Sequence, residues 1–202
     1  MKNFRDPLCT SIFAIFFLLL FFRGVVHAEP NELPIKLFAM EGHAWKILPG
    51  GLSELLASGA ALDWGEGFRT DGDGQFRVEV ASGFEIRVKE NTIGWFMTPN
   101  NWRVDRGLFG VRSRTLSPHD IFVSSPHCEA RFRDGIFVVK VVPLLTRIAV
   151  LKGNATVQKT GYEALDLASR QEVAAAFEQL SDFYQATDDL YFAWYWQEKK
   201  GR

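Results

Sequence analysis

Few residues in this chain have the types and spacing that chemistry would need. Asp71-Gly72-Asp73-Gly74 sets two carboxylates two positions apart, a spacing that can offer oxygens to Ca2+. An EF-type loop needs further ligands and a closing Glu, and none follows at that spacing, so a tight turn between strands is expected. His43, His119, His127 and Cys128 carry the nitrogen and sulfur that zinc prefers. No two of them have a zinc-finger spacing, so folding would have to gather them. Cys128 reads as a small buried apolar group. Ser124-Ser125 sits in no G-x-S-x-G elbow, and no glycine loop could cradle a phosphate. Asn154-Ala155-Thr156 formally matches a glycosylation sequon but reads as a Gly-Asn turn. The expectation is therefore no catalytic residue, no cofactor and no metal.

The aromatic residues near the C-terminus are a different kind of candidate. Tyr191, Phe192, Trp194, Tyr195 and Trp196 crowd one short stretch, followed by Lys199 and Lys200. On a helix these rings point nearly all round, so one flat core face cannot bury them all. Trp and Tyr are enriched at protein hot spots, and rings beside lysines also suit a membrane headgroup boundary. Tyr191, Trp194, Tyr195 and Trp196 are thus the candidate partner-binding residues, for an envelope protein, for self-association or for peripheral lipid contact. The alternative is that the helix wraps its own β domain and its rings cover an open sheet edge. Trp95 and Trp102, read as exposed on loops, could instead stack on sugar rings.

Most of the sequence is written in strands. In Thr70–Thr92, Phe76, Val78 and Val80 share one parity, and Phe84, Ile86 and Val88 share it on the following run. Gln75, Arg77, Glu79, Glu85, Arg87 and Lys89 take the opposite face, expected to be wet. A two-residue loop would set Val80 against Glu85 and mix the faces. A three-residue loop, Ala81-Ser82-Gly83, sets Val80 against Phe84, Val78 against Ile86 and Phe76 against Val88, with Gly83 left-handed. The cost is Glu79 opposite Glu85, which diagonal Glu79–Arg87 and Arg77–Glu85 contacts could offset. Similar runs recur every eight to twelve residues from 35 to 157, broken by PGG, DGDG, PNN, DRG, RDG and KGN. That rhythm predicts an antiparallel sandwich, barrel or stacked solenoid, with Leu52–Leu62 irregular.

After Gly161 the period changes. Val173, Phe177, Leu180, Tyr184, Thr187, Tyr191 and Trp194 step by four and three, which predicts an amphipathic helix. Ser169-Arg170-Gln171-Glu172 reads as its capping box, and Thr187-Asp188-Asp189 offers a second N-cap that could split it.

Ahead of all this, Lys2 and Arg5 precede the apolar run Ile12–Phe22, with Val26 and Ala28 before Glu29-Pro30. This reads as a secretory leader cut after Ala28, since the run falls short of the roughly 20 residues a membrane span takes; Arg23 close behind the run leaves an uncleaved anchor as the alternative. Removing the leader would leave 174 residues. It would also take three basic residues and one acidic one, moving the formal charge from −1 to −3. A mildly acidic chain has no general electrostatic reason to bind nucleic acid. With Cys9 in the leader, Cys128 would remain alone, so no intramolecular disulfide is expected. The organisation expected is a signal peptide over 1–28, a β domain over 29–161 and a helical segment over 162–202, in the periplasm or secreted.

Four stretches together resemble the FecR domain: "LASGAALDWGEGFRTDGDGQFRVEVASGFEIRVKENT", "WRVDRGLFGV", "IFVSSPHCEARFRDGIFVVKV" and "RIAVLKGNATVQ". The likeness runs from about Leu55 to Gln158. It departs at Ser125-Pro126, where the family has Thr-Pro, and at Asp134-Gly135-Ile136, where Gly-Thr is usual. The resemblance implies stacked β structure in a free-standing version, without catalytic residues, that works by binding or signal relay in the cell envelope. A carbohydrate or cell-wall binder is the alternative, and a hydrolase assembled only in three dimensions a third.

Overall fold

The computed structural model describes residues 35–80, 83–114, 119–187 and 190. Fifteen strands form one continuous sheet among these residues. They are β1 (Ile35–Glu41), β2 (Ala44–Ile47), β3 (Ser53–Leu55), β4 (Ala61–Leu62), β5 (Gly67–Thr70), β6 (Gln75–Val80), β7 (Phe84–Val88), β8 (Ile93–Thr98), β9 (Asn101–Ser113), β10 (Ile121–Ser124), β11 (Glu129–Val142), β12 (Leu145–Gln158), β13 (Leu165–Leu167), β14 (Gln171–Ala176) and β15 (Tyr184–Gln185).

Three long strands organise the sheet. The first part of β9 pairs with β8 and, in parallel, with β10; its second part pairs with β7 and β11. Likewise the two halves of β11 and β12 pair with each other on either side of a register break around Gly135 and Gly153. Gly107, Gly135 and Gly153 all have positive φ, at 98°, 121° and 91°. At these points the sheet turns back on itself. One half then runs β4-β1-β6-β7-β9-β11-β12-β14-β15, and the other carries β2, β3, β5, β8, β10 and β13. Rings meet across the fold: Phe68 of β5 stacks 6.1 Å from Phe109, Phe84 meets Trp102 edge-on at 5.8 Å, and Phe132 stacks 4.1 Å from Phe137. The result is mostly β, one open sheet whose two parts both contribute side chains to the main apolar core.

The β6–β7 ribbon has the expected register: Phe76 faces Val88, Val78 faces Ile86 and Val80 faces Phe84, with Gly83 at φ 86°. Glu79 does face Glu85. Arg114, at the end of β9, offsets that repulsion by reaching Glu79 at 2.8 Å and Glu85 at 3.4 Å, while Arg87 meets Glu85 at 2.9 Å. One expectation fails here. Glu85 and Arg87 are buried, not wet. Period two says which residues share a face, but whether that face meets water depends on what lies over it. Leu52–Leu62 also departs from its reading, contributing the short edge strands β3 and β4.

The larger correction concerns the helix expected from Ser169. Residues 165–167, 171–176 and 184–185 are strands, so the sheet continues past Gly161. Six residues of β14 pair in unbroken register with Leu145–Val150. That pairing overrides the helix propensity of Val173-Ala174-Ala175-Ala176. Ser169, read as a cap, instead receives the Gly153 amide at 3.0 Å. Glu172 sits fully buried on β14 and pairs with Arg147. Arg170 holds φ 67°, a turn conformation that its residue type does not advertise. Helical backbone is seen at Leu190, whose amide donates to the Thr187 carbonyl at 3.2 Å.

Candidate interaction surface

The acidic turn is already occupied by the protein's own groups. Trp45 Nε1 donates to Asp71 at 2.9 Å, and Arg69 lies 3.6 Å from the same carboxylate. His43 sits 3.0 Å from Asp73, and that hydrogen bond holds the Asp73 carboxyl below its ordinary range. Among the described residues no group of three or more His, Cys, Asp or Glu side chains is gathered to hold a metal.

His127 and Cys128 belong to a buried polar knot. The folding-over of β11 and β12 brings His127 Nδ1 to 2.9 Å from Thr146 Oγ1. Thr146 Oγ1 donates to Ser125 Oγ at 3.0 Å, and Ser125 Oγ donates to the Cys128 carbonyl at 2.8 Å. With both hydroxyl protons so committed, His127 Nδ1 must be the donor to Thr146. The chain of donation therefore runs away from the imidazole. A base-activated serine needs the opposite direction, with its proton passing to His. The knot is a clasp between the two halves of the sheet. Burial raises the Cys128 thiol pKa, as expected for an inert interior cysteine.

Burial also holds the His127 imidazole below its ordinary 6.5. The folded protein then resists a proton that the unfolded chain takes up near 6.5, so stability falls as pH drops below that value. Glu85 acts elsewhere. Burial raises its pKa, but Arg87 and Arg114 outweigh that and hold it below 4.5, so its contribution is lost only in stronger acid. Urea midpoints taken between pH 7.5 and 5.5 are expected to decline, and His127→Gln to flatten the decline.

Next to this clasp lies an exposed apolar pair. The β11–β12 turn carries Leu144, 74% exposed, and Phe177, the residue after β14, is 65% exposed. The register sets them side by side, because Leu145 faces Ala176. Val142 and Tyr162 are also exposed. Phe177 stands edge-on to the His127 ring at 4.7 Å, and its carbonyl accepts from Lys159 Nζ at 2.8 Å. The Lys159 ammonium lies 5.5 Å from the Tyr162 ring centre, and the Tyr162 hydroxyl donates to the Glu178 carbonyl. A hollow of about 330 Å3 opens alongside, lined in part by Leu145, Tyr162, Ala176 and Leu180. Large side chains held in place beside a concavity are what a protein partner buries first. The sequence carried a signal for this tip that went unread. Val142-Pro143-Leu144-Leu145 is apolar where neighbouring turns are built from Asp, Asn and Gly.

The tryptophans read as sugar platforms are placed otherwise. Trp102 is 0% exposed in the core. The β8–β9 turn is tight, with Thr98 facing Asn101, so Trp102 lies on β9 and not on a loop. Trp95 is half-buried on β8, with the Arg103 guanidinium 5.4 Å from its ring. Tyr191, Trp194, Tyr195 and Trp196 lie outside the described residues.

No family model matches the chain, and no curated protein matches it. Solved structures do. Two crystal structures of a "putative anti-sigma factor" from Parabacteroides distasonis, at 2.50 and 1.65 Å, are similar to it with TM-scores of 0.51 and 0.52. Sequence identity is 14% and 13%, and each match covers 63% of this chain. The match spans 62% of the length of each of those chains. At that identity the likeness is one of fold.

Proposed function

We propose that this chain is a contact module of the cell envelope, FecR-like in its strand order, which relays or holds a protein signal without catalysing a reaction. The observation that carries the reading is the Leu144–Phe177 tip, apolar, exposed and fixed from beneath by the His127 and Lys159 contacts. The leader-like N-terminus supports export, and the solved structures of the same fold support a regulatory role through their description as an anti-sigma factor. The glycan reading has lost Trp102 and stands only on Trp95, which Arg103 overlies.

The test is site-specific photocrosslinking in the native cell. A photoreactive residue at position 144 or 177 is expected to trap one envelope protein that the same probe at Leu52 or Met97, also exposed, does not. Adducts that are absent, or identical from all four positions, would remove the tip from the account.

A further inference from the structure

Beneath the Leu144–Phe177 tip sits a lysine whose charge the fold does not balance. Lys159 directly follows β12 and is 8% exposed. An ammonium taken out of water normally stands against a carboxylate, because burying it with neutral groups alone is costly. Here both partners are neutral. The Phe177 carbonyl accepts from Nζ at 2.8 Å, and the Tyr162 ring centre lies 5.5 Å away. Among the described residues no carboxylate forms an ion pair with Lys159. Glu163 and Glu178, on the segments that carry Tyr162 and Phe177, are both exposed.

Buried charge is handled differently elsewhere in the sheet. Among the described residues Glu66 is paired with Lys46 at 3.2 Å, Glu85 with Arg87 at 2.9 Å, and Glu172 with Arg147. Lys159 is the exception, and it lies under the exposed apolar pair. Its field reaches the neighbouring side chains. Burial dominates there, lowering the pKa of His127 and raising that of the Cys128 thiol, and the Lys159 charge adds a downward pull on each. The hollow of about 330 Å3 beside the tip has Tyr162 in its wall, with Leu145 and Leu180. The ammonium that rests against that ring has three donors, and the Phe177 carbonyl takes one.

We propose that the partner of this tip presents a carboxylate with apolar neighbours, which the Lys159 ammonium receives while those neighbours bury Leu144 and Phe177. The proposal rests on the tip being a contact surface and adds the chemistry of what it contacts. The partner supplies the counter-ion that the fold omits. Lys159 is already desolvated before binding, so only the incoming carboxylate loses its water. Such a pair contributes more than an exposed salt bridge does. It also sets specificity, since a basic apolar segment would meet a like charge.

The test uses the full chain and two phage-displayed heptapeptide libraries, one with the random segment internal and one ending in a free carboxylate. Peptides that lose binding to Leu144→Asp are kept, which restricts the readout to the tip. They are expected to carry a carboxylate beside Leu, Phe or Trp. Asp or Glu selected from the internal library marks a side-chain source; a consensus found only with the free chain end marks a terminal one. For the tightest synthetic peptide, replacing that carboxylate by the amide is expected to weaken binding about tenfold on the unaltered chain. On Lys159→Met the same replacement should matter less than about twofold. Tip-dependent peptides without any carboxylate preference would overturn the inference and leave the tip standing. So would an amide peptide that binds the unaltered chain as tightly as the acid, which needs no protein variant, or an equal loss on Lys159→Met. Peptides that all bind Leu144→Asp as well as the unaltered chain would remove the tip itself, and the inference with it.

Discussion

Arg147→Met is expected to lower the unfolding free energy by about 3–5 kcal/mol, the range for removing one partner of a buried ion pair. Glu172 is fully buried on β14, where its carboxylate meets Arg147, the Tyr184 hydroxyl at 3.0 Å and both donors of Thr187. Removing the guanidinium leaves that charge in a closed site with only neutral donors. The effect should spread beyond one contact, because the same carboxylate ties β12, β14, β15 and the start of the Leu190 turn. Arg147→Met/Glu172→Met should recover at least half of the loss, since an apolar pair leaves no orphaned charge. Urea unfolding of the three proteins measures both numbers. A single-variant loss under 1 kcal/mol would mean that water reaches the pair.

Gly135→Ala carries the second large effect, about 3 kcal/mol. Part is the backbone: Gly135 sits at φ 121°, where side-chain-bearing residues pay about 1–3 kcal/mol. The rest is space. A Cβ there would run into the Lys152 carbonyl oxygen, which belongs to the paired strand and cannot rotate away. The Gly135 amide donates to Ser113 Oγ at 2.8 Å, so a shift that relieved the clash would break that bond too. Gly153→Ala meets the Asp134 carbonyl in the same way across the same bend. The two losses should therefore add to less than their sum, because one relaxation serves both. Thermal melts of the single and double variants read the coupling; simple additivity would mean that the two glycines bend the sheet independently.

These two sites differ in how far the sequence announced them. The bend was half visible. Arg133-Asp134-Gly135 and Lys152-Gly153-Asn154 look like turns that end strands, and each instead lies inside a fourteen-residue strand. Only the facing of the two glycines in space converts two turns into one hinge. The register of the ribbon from Gln75 to Val88 was legible, since it follows from parity and one glycine, but the burial of Glu85 and Arg87 on its second face was not. Glu172 was misread because Ser169-x-x-Glu172 is a fair capping box, and Val173 and Phe177 fit a helical stripe. What decided against the helix was a pairing with Leu145–Val150, over twenty residues away, which no local pattern encodes. The tip at Leu144 was legible in principle, as a leucine in a turn with apolar residues on both sides. Its support was not, because His127 and Lys159 reach Phe177 only through the folding-over of β11 and β12.

The most direct measurement of the central claim is the affinity between this chain and the envelope protein trapped from position 144. The account predicts that Leu144→Asp and Phe177→Asp each weaken it by about thirtyfold, the scale of a hot-spot loss of 2 kcal/mol, with melting temperature unchanged. Affinities within twofold of the unaltered chain would contradict it.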